Sequence, residues 1–436
     1  MTPPVLPGQP QLHYRDQTLY LEEQRLSELA RSHGTPLYVY SKAAMLQALD
    51  AYQRGFAGRK VQICYAMKAN SSLALLQLFA QQGCGFDIVS GGELERVMAA
   101  GGDPAKVIFS GVGKTRAEMR QALEAGIGCF NVESEAELEV LSDIAQAMGL
   151  RAPVSIRVNP NVDAKTHPYI STGLKDNKFG IAHERTVATY RRAAQLPGLR
   201  VVGIDCHIGS QITEETPYLD AMDRLLDLVQ AIEAAGIAIH HIDFGGGLGI
   251  DYNGDTPPAA DALWALLLAR LDARGYGNRQ LMIEPGRSLV GNAGVCLTEV
   301  LYLKPGEQKN FCIVDAAMND LPRPAMYQAY HAIVPLDASA KMPEQVYDVV
   351  GPICESGDWL GRERSLAVAP GSLLAVLSAG AYCSSMGSSY NTRARPAEVL
   401  VDGAAAHLIR ARESVSDIFR NERLIPTTAA AKQVVA

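Results

Sequence analysis

Cys64-Tyr-Ala-Met-Lys-Ala-Asn70 ends a short apolar run, Val61–Ala66, on a lysine. An apolar run of this length with a polar stop reads as a buried strand. The lysine at its end has two readings. Its stem can snorkel and leave the ammonium in water, or its amine is a nucleophile held at the end of a strand. The architecture around it distinguishes them, because a parallel barrel collects its strand ends on one face and builds its site there.

Working outward, short β-rich runs alternate with amphipathic windows. The strand-like runs are Val61–Ala66, Gly85–Val89, Val107–Phe109, Gly128–Asn131, Val154–Val158, Val201–Cys206, His240–Phe244 and Gln280–Ile283. Helical periodicity fills the intervals at Leu73–Gln82, Glu93–Ala100, Arg116–Ala125, Glu135–Ala147, Thr186–Gln195, Tyr218–Ala235 and Ala260–Arg274. Eight strands over about 250 residues match a (β/α)8 barrel, assigned to residues 37–286. At the carboxyl ends stand Lys68, Asp87 with Ser90, Ser110, Asn131 with Glu133, Arg157, His207 with Ser210, Gly245 to Gly247, and Glu284. A barrel places these in a ring; a doubly wound sheet, the alternative, spreads them along a crevice.

After Arg287 the alternation stops. Apolar segments at Gly294–Tyr302, Phe311–Val314, Gln345–Val350, Leu373–Leu377, Ala397–Val401 and Ala406–Arg410 predict a mostly antiparallel β domain, formed by residues 1–36 and 287–436, with a loose tail from Thr427. The 436 residues are 47% hydrophobic and 20% charged, as expected of a globular protein. A net charge of -7 argues against nucleic acid or an anionic membrane as the main partner. The first residues carry neither a basic start nor an apolar core, and the eight scattered cysteines form no CxxC pair, so a cytoplasmic protein with reduced thiols and no metal is expected.

Two glycine-rich stretches imitate nucleotide sites. Gly111-Val-Gly-Lys-Thr115 resembles the end of a phosphate loop but has Ile108 where that motif needs glycine. Gly245-Gly-Gly-Leu-Gly249 is followed by Ile250-Asp-Tyr-Asn rather than an apolar helix, so it reads as a close approach of main-chain N–H groups to an anion, or as a plain turn. Glu284-Pro-Gly-Arg287 pairs a buried carboxylate with an arginine able to fork onto phosphate, and the bland reading is a structural ion pair. His207-Ile-Gly-Ser210 adds a flat ring and a hydroxyl. One ligand accounts for all of them: an aromatic aldehyde with a phosphate and a basic ring nitrogen. Lys68 would form the imine, Ser210, Gly245–Gly247 and Arg287 would take the phosphate, His207 would stack, and Glu284 would keep the ring nitrogen protonated.

Tyr65-Ala-Met-Lys-Ala-Asn70, Gly85-Phe-Asp-Ile-Val-Ser-Gly-Gly-Glu-Leu-Glu95, His207-Ile-Gly-Ser-Gln211, Gly245-Gly-Gly247, Glu284-Pro-Gly-Arg287 and Gly351-Pro-Ile-Cys-Glu-Ser-Gly-Asp358 resemble, in order, the motifs of the pyridoxal-phosphate-dependent decarboxylases of the ornithine, diaminopimelate and arginine group, which have an alanine-racemase-like fold. The match runs from about Pro36 to Leu424. It implies pyridoxal phosphate as cofactor, the barrel plus β domain, and a head-to-tail homodimer with active sites shared between subunits. By resemblance, Lys68 and His207 are catalytic. Asp87, Ser210, Gly245, Gly246, Gly247, Glu284, Arg287 and Tyr382 join them in holding the cofactor. Arg323 and Tyr327, in Asp320-Leu-Pro-Arg-Pro-Ala-Met-Tyr327, match residues that grip a distal carboxylate, with Arg287 and Tyr382 also reaching substrate. Cys354 and Glu355 match residues that enter from the partner subunit, at the reacting carbon and the distal ammonium; a thiol in that polar loop suits proton return.

The implied reaction is decarboxylation of meso-2,6-diaminopimelate to L-lysine. Alternatives are a related basic amino-acid decarboxylase and a non-catalytic cofactor-binding homologue. Pro322 and Cys383-Ser-Ser385 depart from the family pattern, which bears on loop shape. The polar stretch from His167 to Gly180 is a candidate lid.

Overall fold

The computed structural model describes residues 4–163, 178–339 and 342–425. Eight parallel strands close on themselves: Val61–Ala66, Gly85–Ile88, Val107–Phe109, Cys129–Val132, Ala152–Asn159, Leu199–Asp205, His241–Asp243 and Gln280–Ile283. Closure runs through Leu281↔Val61 and Ile283↔Ile63, so the strand bearing Lys68 at its end lies beside the strand bearing Glu284. This excludes the doubly wound alternative. Short strands with almost every residue buried are what a sheet covered on both faces requires.

Among the described residues, seven helices stand between the barrel strands where the periodicity predicts them. The eighth, Lys42–Gly55, precedes the first strand instead and packs on Ala260–Ala273. The Ser41 side chain caps it by accepting the Ala44 N–H, and Ala44, Met45, Leu49 and Tyr52 form its buried stripe. Gly55 permits the close crossing: a Cβ there would stand 2.8 Å from the Asp261 Cα.

The strand Leu37–Ser41 lies inside the span 37–286 that the sequence reading gives to the barrel, but it pairs elsewhere. It runs antiparallel to Gly294–Leu297 and parallel to Ala397–Val401, at the centre of the second sheet. All five of its residues are buried, so its uninterrupted apolar character reflects a central strand of the β domain, and the chain enters the barrel only at Lys42. That sheet orders Trp359–Leu366, Gln345–Val350, Asn310–Val314, Gly294–Lys304, Leu37–Ser41, Ala397–Asp402 and Ala405–Arg410, with two parallel neighbours in an otherwise antiparallel array. The N-terminal strands Leu12–Arg15, Thr18–Leu21 and Gln24–Arg25 make a small sheet of their own, fastened to the domain by the Leu19 N–H on the Leu336 carbonyl. Among the described residues no helix is long and apolar enough to cross a membrane.

Candidate active site

A cavity of about 690 Å³ lies at the carboxyl ends of the barrel strands, with the β domain as its other wall. Lys68, His207, Ser210, Gly247, Glu284 and Arg287 line it from the barrel, and Arg323, Tyr327 and Tyr382 from the β domain. Its volume falls within the roughly 300–1,000 Å³ usual for cofactor and small-molecule sites.

Lys68 leaves the first strand on a single 3-10 turn, Met67–Ala69. Its Nζ donates to Asp87 Oδ2 at 2.6 Å, and its side chain keeps 38% exposure while that of Asp87 keeps none. Burial pulls the lysine pKa down, as an apolar strand end suggests, but the negative field of Asp87, with Tyr382 and Glu284, outweighs it and the pKa is raised. Desolvation alone therefore does not supply a neutral amine. The Asp87 carboxylate is the nearest acceptor for the proton the amine must lose, and its other oxygen, Oδ1, has no partner among the described residues.

Glu284 ends the eighth strand, buried, with Oε1 accepting from Asn131 Nδ2 at 3.2 Å and Ser110 Oγ at 3.5 Å. Below it lie two acids that the sequence reading missed, Asp205 and Asp243. Facing oxygens of the three carboxyls lie within 4.8 Å of one another. Like charges so close in a dry interior cannot all ionise. Burial first, then the neighbouring acids Asp87, Asp243 and Asp205, raises the Glu284 pKa well above the carboxylate range; burial likewise pushes Asp205 up to about 7. The signal was present as a pattern: an aspartate two residues ahead of His207 and another two ahead of Gly245, each the last residue of its strand.

His207 is held as a neutral ring. Gly246 N–H donates to its Nδ1 at 3.1 Å, so that nitrogen carries the lone pair, and burial, Arg157 and Lys68 press its pKa well below the histidine range. This bond also revises the role expected of the glycines. The Gly245 N–H is taken by Asp243 Oδ1 at 2.9 Å and the Gly246 N–H by His207, and only Gly247 of the three lines the cavity. Gly245 and Gly246 instead allow close packing. Gly245 has φ +62°, and a Cβ on Gly246 would lie 2.1 Å from the Glu284 carbonyl oxygen.

Across the cavity from these acids stand two buried cations. Arg287 donates from Nη2 to Ser210 Oγ at 3.0 Å and from Nη1 to Tyr252 Oη at 2.6 Å, with its guanidinium 4.8 Å from the centre of the Tyr382 ring. Its Nε is unpartnered, and among the described residues no carboxylate pairs with Arg287 or Arg323. A buried guanidinium held only by neutral groups asks for an anion. Arg323, from the short helix Arg323–Tyr327, has its guanidinium 4.7 Å from the centre of the Tyr252 ring and donates to His331 Nε2 at 2.9 Å. Tyr252 and His331 are further residues the sequence reading missed; neither sits in a motif with a recognisable spacing.

Cys354 and Glu355 do not line the cavity. Both are exposed on a loop braced by Asp358, which accepts the Ile353 N–H at 2.7 Å. The other seven cysteines are buried, as expected of core filler. Lys114 of the false phosphate loop spends its three donors on the Gly111 and Asn131 carbonyls and on Glu137. Of the candidate lid, His167 to Gly180, the part up to residue 177 lies outside the described residues; Phe179, within its last residues, lines the cavity.

A strand-end lysine, a buried arginine awaiting an anion and a proton-sharing carboxyl opposite define the class: a barrel site for a phosphorylated aldehyde with a basic ring. The model of the pyridoxal-dependent decarboxylases, pyridoxal binding domain, matches residues 42–291, beginning where the chain enters the barrel. The chain is 56% identical over 416 residues to a diaminopimelate decarboxylase of Pseudomonas aeruginosa, covering 95% of this chain and 99% of that one. Among solved structures, diaminopimelate decarboxylase from M. jannaschii, in co-complex with L-lysine, superposes with a TM-score of 0.91 at 37% identity, covering 96% of this chain and 99% of that one. The Helicobacter pylori enzyme, complexed with L-lysine, gives 0.87 at 41%, covering 91% and 99%. The chain belongs to the diaminopimelate decarboxylase family of pyridoxal-dependent decarboxylases.

Proposed function

We propose that this protein is a pyridoxal-phosphate-dependent decarboxylase that converts meso-2,6-diaminopimelate to L-lysine and carbon dioxide. The observation that carries the reading is the charge gathered at one cavity: Glu284 backed by two further acids, and Arg287 and Arg323 without carboxylate partners among the described residues. A ligand pair with a basic ring nitrogen, a phosphate and a distal carboxylate supplies each side with its complement.

The residues fit the cofactor. Arg287, Ser210, the Gly247 N–H and Tyr382 would hold its phosphate, Glu284 would pair with its ring nitrogen, and His207, fixed by the Gly246 N–H, would stack on the ring. Pyridoxal phosphate held in this cavity would supply an electron sink for the pair left when the substrate's carboxylate departs. Asp87 accepts a proton from Lys68 Nζ, freeing the amine to attack. Glu284 would offer its proton to the ring nitrogen, with Asp205 and Asp243 close enough to share it. Arg323 and Tyr327 orient the substrate by its distal carboxylate.

The remaining groups come from a second copy. Cys354 and Glu355 of the partner subunit reach the reacting carbon and the distal ammonium in a homodimer with shared sites. Their exposure outside the cavity of their own chain supports this. Buried reduced thiols support a cytoplasmic location, and the net charge of -7 speaks against a polyanionic partner.

Carbon dioxide release from purified stereoisomers tests the assignment. The meso form is expected to turn over and the L,L form to be inert. Preference for lysine, ornithine or arginine would overturn the substrate; cofactor binding without any release would overturn the activity.

A further inference from the structure

A buried arginine usually finds a carboxylate, because an unpaired charge in a protein interior is costly. Arg323 is only 6% exposed and finds a histidine instead. His331 has no exposed surface at all. Its Nδ1 lies 2.7 Å from the Leu377 carbonyl and its Nε2 lies 2.9 Å from Arg323 Nη1. A carbonyl can only accept and a guanidinium can only donate. One tautomer satisfies both: hydrogen on Nδ1, lone pair on Nε2, ring neutral.

The surroundings keep that ring fixed. The His331 carbonyl accepts from Arg364 Nη2 at 3.2 Å, the neighbouring Ala332 carbonyl accepts the Leu377 N–H at 2.8 Å, and Tyr252 meets the imidazole edge-on at 5.3 Å. Burial and the positive charges of Arg323, Arg287 and Arg364 hold the His331 pKa well below the histidine range, so the ring stays an acceptor at neutral pH.

We propose that His331 is a positioning residue that aims Arg323 into the cavity without offsetting its charge, and thereby sets the preference for a substrate with a second carboxylate. A carboxylate at 331 would hold the guanidinium equally well but would take the charge that the substrate needs. Binding would then replace one ion pair by another instead of making the first. With a neutral ring the full charge-assisted interaction remains for the ligand. The proposal rests on Arg323 being the group that grips the distal carboxylate.

His331→Gln and His331→Glu in the holoenzyme test it, because the two side chains match in length and differ in charge. The readouts are KM and kcat for meso-diaminopimelate, the inhibition constant of L-lysine, which keeps that same carboxylate, and the visible absorbance of the bound cofactor. His331→Gln is expected to stay within about threefold of the parent. His331→Glu is expected to raise KM and the lysine inhibition constant together by roughly 10- to 100-fold, with kcat and absorbance little changed. Equal constants for the two variants overturn the proposal. Should His331→Glu not load cofactor, His331→Leu removes the acceptor and is expected to raise KM likewise; an unchanged KM there also overturns it. Arg323→Met is measured in parallel. If it leaves KM unchanged, the reading of Arg323 itself fails, whereas a raised KM with equal Gln and Glu variants defeats only the role of His331.

Discussion

Replacing Gly246 by alanine isolates a steric effect from a conformational one. Gly245 and Gly247 have φ of +62° and +107°, where any side chain strains the backbone, but Gly246 does not lie in that region. A Cβ there meets the Glu284 carbonyl oxygen at 2.1 Å and the Glu284 carbonyl carbon at 2.9 Å. Relief to an ordinary contact needs the two backbones to part by about 1 Å or more. Neither moves freely: the Glu284 N–H is bonded to the Gly245 carbonyl at 2.7 Å and the Pro285 carbonyl accepts the Ala66 N–H at 3.0 Å. Overpacking of this kind costs about 1–3 kcal/mol. The displacement falls on both faces of the ring site, because the Gly246 N–H orients His207 and Glu284 carries the carboxyl opposite. A misplacement of about 1 Å in such a site can lower turnover by about 100-fold. Thermal unfolding should drop by a few degrees, cofactor absorbance should weaken, and carbon dioxide release should fall by about 10- to 100-fold. Gly113→Ala, where an added Cβ meets nothing within 4 Å, is the control. A Gly246→Ala enzyme that melted with the parent and kept turnover within about twofold would refute the packing argument.

Lys68→Ala should abolish covalent attachment of the cofactor, read as loss of borohydride-fixed absorbance at the protein; fixation that survived the change would remove the central assignment. Two separately inactive proteins, Lys68→Ala and Cys354→Ala, should regain about a quarter of parental turnover when unfolded together and reassembled, since half of random dimers are mixed and each mixed dimer keeps one intact site. A mixture no better than its components would deny shared sites. Asp205, pushed up to about 7, holds a proton in the folded chain that the unfolded chain gives up near pH 4, so stability falls as pH rises between about 4 and 7. Asp205→Asn lacks that loss, so its melting temperature should gain on the parent from pH 5 to pH 8, and a gap independent of pH would count against the buried-proton account.

The barrel was legible because each of its strands is a short apolar run set between amphipathic helices, and a sheet covered on both faces imposes that pattern. Leu37–Ser41 defeated the same logic. A central strand of the second sheet and a barrel strand are buried on both faces alike, and only their partners differ. The site divides in a similar way. Lys68 and Arg287, which line the cavity, sit in spaced motifs. Tyr252 meets Arg287 across 35 residues, and His331, eight residues from Arg323, reaches it through the fold rather than through a recognisable motif. Gly246 was legible as a glycine but not for its reason, which is the closeness of a carbonyl on the next strand.

The electrostatics of the cavity follow from one asymmetry. On the acid side, charge is removed by protons: Glu284, Asp205 and Asp243 are crowded and dry, and sharing protons costs less than ionising. On the basic side protons cannot help, because a guanidinium does not give one up. Arg287 and Arg323 are therefore held by hydroxyl, ring and imidazole groups, which fix direction and leave charge uncompensated. Desolvation makes such cations costly until an anion arrives, so an anion bound beside them repays more than the contacts it makes. Ligand that binds only the folded chain stabilises it by mass action. Burial and the neighbouring cations keep His207 and His331 neutral, so they fix direction without adding charge to either side.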